Sequence, residues 1–332
     1  MLWSTAGCQG AEVAAEPAEA VAPPTSVDTP AGTSPSRRSF SVEPLYAIRP
    51  DRCSDRRFPK LAGPWIVWCN ASTGEVDRAT ALDLPGRPTR ELQAPVRDPS
   101  VAPGWLYRPS LEPRLWRLIA GEGALAPESP SGRLQETDGG RVVTDGVTAA
   151  WLNRESVEVW KLGEATRQVY PAHPVAGSAP ALGGGTVAWV ERTDDETQIW
   201  GLVGGKPAAI AAPEGGARLV VGSGAWLAWV ERGQVVLYAP ESGERRQHAA
   251  VTGFDHPPSL DGAVACWEDR HGVREAGEAG EGGGGDIEIR CSDGLELRRP
   301  GHQRQPSRFG PWLLFREGDS LFLASAPPNE TP

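Results

Sequence analysis

Residues 262–272 read GAVACWEDRHG. A glycine opens the stretch, a short apolar run climbs to Trp267, and Glu268, Asp269 and Arg270 follow at once. An aromatic residue in this setting marks an active site, a ligand platform or a packing position that recurs along the chain. Whether it recurs decides among the three.

It does recur. Gly262 stands five residues before Trp267, and the same offset joins Gly63 to Trp68, Gly146 to Trp151, Gly184 to Trp189, Gly224 to Trp229 and Gly310 to Phe315, with Ala102 to Tyr107 as a weaker copy. The aromatic positions 68, 107, 151, 189, 229, 267 and 315 lie 38 to 48 residues apart. Between the anchors run WIVW, VTAAW, TVAWV, WLAWV, AVACW and WLLF. A proline often precedes each copy, as at Pro59, Pro180, Pro258 and Pro306, and a second apolar run follows each Trp, as in VEVWKL (157–162), QVVLYA (234–239) or SLFLAS (320–325). Gly-bearing turns then lead to a short polar strand such as ESGERRQH.

Four short strands repeating about every 40 residues describe one blade of a β-propeller. Seven copies predict an all-β, seven-bladed β-propeller of four-stranded blades over residues 38–326. A disordered N-terminal tail (1–37) and a short C-terminal tail (327–332) flank it. The strands read as apolar runs rather than alternations because inner strands are covered on both faces. In this reading Trp267 fills the wedge between adjacent sheets, and the glycine turns the chain from the innermost strand into the second. Blade 7 ends after SLFLAS without a fourth strand, so SFSVEPLYAI (39–48) is expected to close the ring as its outermost strand. Pro44 suits an edge, where a missing donor is tolerated.

The rest of WEDRHG…GDIEIRCSDGLELRRP, followed by QPSRFGPWLLFRE, resembles the TolB-like propeller repeat of bacterial envelope and surface proteins. There a Trp–Glu–Asp turn leads into an Asp–Ile-containing strand, and Pro–Ser opens the next blade. The resemblance implies the propeller. It does not carry the α/β domain that precedes the propeller in TolB, nor a role in the Tol system.

Composition narrows the function classes. The chain of 332 residues has net charge −10, 13 Trp and one Met. No basic stripe is present to displace phosphate counterions, which argues against nucleic acid as a partner. No run of about 18 apolar residues exists to span a membrane. The expected partner is a protein or small molecule, and the expected state a monomer. Near the N-terminus, TAGC (Thr5 to Cys8) resembles the end of a lipobox, with Cys8 as lipidation site. The Ala/Pro-rich residues 9–37 would then form a tether, since they hold too few large apolar side chains to order themselves. Thr5 stands where Leu is usual, and only Met1 to Ser4 precede it, without an apolar h-region. This points to the cell envelope, periplasmic or outer-membrane, with a cytoplasmic location as the alternative if the start is genuine.

Propellers take ligands at the mouth of the central channel, on the face of the loops that enter the innermost strands. Those loops carry His173, His256 and His302. The hairpins on the same face carry Glu191, Asp194, Glu231, Glu268 and Asp269. These eight residues are the candidate ligand or partner surface, and their acidity favours a basic partner. No HxH or HExxH spacing supports a metal, and no cofactor motif or nucleophile–base spacing is legible. The sequence therefore favours a non-catalytic binding or scaffold propeller. The alternative is a propeller enzyme, a lyase or hydrolase of saccharides or peptides at the channel mouth. Among the cysteines, Cys53 and Cys69 fall in loops on one face, which makes a disulfide between them plausible in an exported chain. Cys266 is expected opposite Arg290, a register that sends Cys266 and Cys291 to opposite faces and leaves them unbridged.

Overall fold

A computed structural model describes residues 142–326, apart from 162, 163, 165, 195, 218, 251–256, 270–286 and 319. Towards the N-terminus it describes the strands β1–β9. β1 (Arg38–Ser39) and β2 (Ser41–Leu45) come first. Blade 1 holds β3 (Lys60–Ala62), β4 (Trp65–Trp68) and β5 (Thr80–Asp83). Blade 2 holds β6 (Ser100–Ala102), β7 (Trp105–Arg108), β8 (Arg114–Leu118) and β9 (Leu125–Glu128). Blade 3 holds β10 (Val143–Thr144), β11 (Thr148–Leu152), β12 (Ser156–Lys161) and β13 (Gln168–Pro171). Blade 4 holds β14 (Ala181–Gly183), β15 (Thr186–Arg192), β16 (Thr197–Val203) and β17 (Lys206–Ala211). Blade 5 holds β18 (Val220–Ser223), β19 (Trp226–Glu231), β20 (Gln234–Ala239) and β21 (Glu244–Ala249). Blade 6 holds β22 (Ser259–Asp261), β23 (Val264–Asp269), β24 (Glu288–Cys291) and β25 (Leu295–Leu297). Blade 7 holds β26 (Gln303–Phe309), β27 (Trp312–Glu317) and β28 (Ser320–Ser325).

The described residues thus form seven antiparallel meanders. The first strands of successive blades touch one another in an unbroken cycle, β3 to β6, β10, β14, β18, β22, β26 and back to β3. That cycle makes the array a closed seven-bladed propeller with the first strands innermost. β2 completes blade 7 by pairing antiparallel with β28, Val42 opposite Ala324 and Pro44 opposite Phe322. The closure read from the sequence is therefore present, with Pro44 in the outermost strand. One strand was not anticipated: β1 pairs parallel with β25, so residues 38–45 join the outer edges of two neighbouring blades.

The apolar runs occupy the second and third strands, as two-sided burial demands. In β15 six consecutive residues from Thr186 are buried, whereas the outer strand β21 is almost wholly exposed. Along β15 the two faces separate by parity. Val187 and Trp189 pack on Ala150, Leu152 and Val157 of blade 3, while Ala188 and Val190 pack with Leu227 and Trp229 of blade 5. Trp229 likewise faces blade 4, Trp267 faces blade 5 with Ala228, Val235 and Leu237, and Phe315 faces blade 6. These four wedge aromatics each point back at the preceding blade, and each large ring fills space that diverging sheets would otherwise leave empty.

Nearer the axis, the blades are laced by short hydrogen bonds. Ser259 Oγ accepts from Arg308 N–H (2.8 Å), and Ser307 Oγ accepts from Leu61 N–H (2.8 Å). The Pro–Ser pairs that open blades 6 and 7 thus supply an acceptor to the next blade. Gly222 sits so close to blade 4 that an added Cβ would lie 2.2 Å from the Leu182 carbonyl oxygen, which reserves the position for glycine. At the turn, Gly262 takes φ +54°, a left-handed conformation that other residues adopt at a cost.

One expectation fails. Cys266 pairs with Cys291 and Trp267 with Arg290, one residue away from the expected register. Both sulfurs fall on the face towards blade 7, and Cys266 and Cys291 form a disulfide. No short turn fixes the pairing of β23 with β24, so the sequence left the register free by one position, and a slip of one flips every side chain. Cys8, Cys53 and Cys69 lie outside the described residues.

Candidate functional site: the loop-bearing face and its blade 4 cleft

On one face of the ring, the loops that enter blades 4, 5 and 7 lie beside the ends of second and third strands. Backbone bonds tie the two sets together: Arg192 N–H donates to His173 O (2.9 Å), Ala217 N–H to Thr197 O (3.2 Å) and Gln303 N–H to Ile287 O (3.0 Å). His173 and His302 lie there, both exposed. His256 lies outside the described residues.

The acids take a different position from the one expected. Glu191, Glu231, Glu268 and Asp269 are strand residues rather than hairpin residues. Glu191 stands two residues after Trp189 on the same side of β15. It is buried, and it accepts from Trp189 Nε1–H (2.5 Å) and from His173 N–H (2.6 Å). Glu231 repeats this with Trp229 Nε1–H (3.3 Å) and adds Arg245 (2.7 Å). These carboxylates cap the wedge indoles, whose N–H would otherwise be buried without an acceptor. Asp269 takes the same offset from Trp267 but pairs with Arg290 (2.8 Å), and it is fully buried. Glu268 points the other way, into the seam with blade 7. There it accepts from Gln305 N–H (2.8 Å), in a bulge where Gln305 takes φ +56°.

Of the candidate acids, Asp194 is the exposed one. It lines an open cleft of about 580 Å³ with Arg192, Thr193, Glu196, Thr197, Gly215 and Gly216. The cleft lies between the β15–β16 hairpin and the loop that enters blade 5. Thr193 Oγ1 donates to Glu196 O (2.7 Å) and Thr197 Oγ1 to Ala217 O (2.6 Å), so both walls are held by local bonds. Of the lining residues, Asp194 is among the sequence-based candidates and Glu196 belongs to the same acidic hairpin run, while Arg192, Thr193, Thr197, Gly215 and Gly216 were not singled out. The one legible signal was the Thr–Asp–Asp–Glu run (193–196), denser in acid than the corresponding turn of blade 5, Arg232–Gly233. Among the described residues no group of three or more His, Cys, Asp and Glu is arranged to hold a metal ion.

Two titratable groups are displaced by burial. His248 on β21 is pushed below its ordinary value by desolvation, with Arg246 adding to the effect. Arg308 is lowered by desolvation and partly restored by Asp293 and Asp261. Its guanidinium bonds Asp293 (3.2 Å) and the Gly310 carbonyl (2.6 Å), fastening blade 7 to blade 6.

No family model matches the chain, and no curated protein matches it. Solved structures with similar folds include a catalytically inactive virginiamycin B lyase from Staphylococcus aureus with quinupristin. It is 14% identical over 87% of this chain and 100% of that one, with a TM-score of 0.49. YCF48 bound to D1 peptide is 10% identical over 91% and 100%, with a TM-score of 0.47. BamB from Moraxella catarrhalis is 12% identical over 82% and 83%, with a TM-score of 0.42. At these identities the likeness concerns architecture, which the strand topology defines independently.

Proposed function

We propose that the chain is a non-catalytic binding propeller of the bacterial cell envelope, related to TolB-like repeat proteins, and that it receives a basic segment of a protein partner on its loop-bearing face. The observation that carries this is the division of labour among the acids. Glu191, Glu231 and Asp269 are engaged in bonds within their own blades and Glu268 in a bond to blade 7, while Asp194 and Glu196 stand exposed around an open cleft. Exposed acids on a chain of net charge −10 favour encounter with a cationic surface. The envelope location is supported by the buried Cys266–Cys291 bridge, since such bonds persist in oxidising compartments, and by the lipobox-like Cys8.

The test is binding of the full chain to an array of Arg- and Lys-rich peptides, compared with Asp194→Asn/Glu196→Gln. Weakening of about tenfold or more, with an unchanged melting temperature, is the expected result. Equal binding by the two proteins would overturn the cleft as the contact. Stabilisation by a transition metal that disappears in His256→Ala/His302→Ala would instead favour the enzyme reading.

A further inference from the structure

Trp267 differs from the other wedge indoles in what its N–H meets. In blades 4 and 5 the N–H of Trp189 and Trp229 reaches a glutamate two residues on. In blade 6 that place belongs to Asp269, a side chain one methylene shorter and engaged with Arg290. Trp267 Nε1 is buried and, among the described residues, has no hydrogen-bond partner. Facing it across the seam is the ring of His248, 6.0 Å away between centroids and tilted by 37°. His248 Nε2 is also buried and, among the described residues, also without a partner. Two polar nitrogens thus share one seam, and a buried polar group left unpaired weakens the packing around it.

The charged surroundings show which way a proton would act. On its own strand His248 shares its side with Arg246, which lies over the Trp226 ring at 4.5 Å and bonds Glu244. β20 meets it with Val235 and Leu237, which carry no charge. Blade 6 presents Asp269, Arg290, Glu288, Glu296 and Arg298 on the face of Trp267, joined into one ion-pair ladder. Residues 251–256, which follow β21, lie outside the described residues. A proton on His248 would therefore place a cation between an indole N–H donor and Arg246.

We infer that the seam between blades 5 and 6 is a pH-sensitive joint, closed while His248 is neutral and loosened when it is protonated. The direction follows from burial, which holds His248 below its ordinary value of 6.5. A folded-state value below the unfolded one means that the stability is fully present above about 6.5 and is lost as the pH falls through the folded-state value. Where blades 4 and 5 meet, the indole N–H of Trp229 is instead capped by the Glu231 carboxylate.

The test is hydrogen exchange of the full chain, corrected for intrinsic rates, between pH 7.5 and 5.0. Peptides of β21 and β23 should lose protection several-fold more than those of β15 and β16, and His248→Phe should abolish the difference. A uniform response across blades, or an unchanged response in His248→Phe, would overturn the joint. Should that variant fold poorly, an NMR titration of the wild-type imidazoles decides instead. Titration of His248 below its ordinary value of 6.5 supports the joint, and titration at or above that value overturns it.

Discussion

In blade 4, Trp189 meets blade 3 with its indole bonded to Glu191, and β15 and β16 turn through residues 193–196. In blade 6, Trp267 meets blade 5 with its indole unpaired among the described residues, and residues 270–287 separate β23 from β24. The two blades share the inner strand, the Gly turn and the wedge. They differ in what keeps the outer part in register. A tight hairpin and a carboxylate cap serve blade 4. Blade 6 has a long connection, and across its neck it carries a disulfide on one face and an ion-pair ladder on the other. The comparison teaches that the frame is set near the axis and that each blade finds its own means of fixing the periphery.

The largest expected effect is on the wedge itself. Trp189→Ala should cost about 4–5 kcal/mol in urea unfolding, because it opens a cavity and strands the Glu191 carboxylate. Trp267→Ala should cost less, about 3 kcal/mol, since its N–H has no bond to lose. Equal losses would mean that the cap contributes nothing. Next, removing the bridge by Cys266→Ala/Cys291→Ala should lower stability by about 3 kcal/mol, as expected for a loop of this span. The two cysteines are 25 residues apart. Hydrogen exchange should place that loss at the seam of blades 6 and 7 and spare blade 4. A loss spread evenly over the ring would break the comparison. The smallest effect falls on the cap: Glu191→Ala should cost about 2 kcal/mol and expose two buried donors, Trp189 Nε1–H and His173 N–H. Glu191→Gln, which keeps one acceptor, should recover part of it.

Much of this frame was legible in the sequence because repetition amplifies weak signals. The Gly–aromatic offset fixed the blades, and the missing fourth strand after Ser325 pointed to the partner near residue 42. What escaped was pairwise. The Cys266–Cys291 register could not be settled because the connection 270–287 has no turn chemistry to anchor it. The acids after each Trp read as surface residues because charge suggests solvent. Parity held the better clue, since Trp189 and Glu191 are two apart on a strand and must share a face. The cleft of blade 4 was only half visible, because Gly215 and Gly216 reach it from a loop about twenty residues downstream.

The pairing of β2 with β28 also sets a timetable. At roughly 5–20 residues per second, a ribosome makes Val42 some tens of seconds before Ala324 emerges to receive it. Through that interval β2 is a strand without a ladder, the kind of segment that recruits a neighbouring chain. Its own residues discourage this: Glu43 brings a charge into the strand and Pro44 removes a donor, two features that blunt an unpaired edge. The latch that finishes the ring is thus written in a form that can wait for its partner.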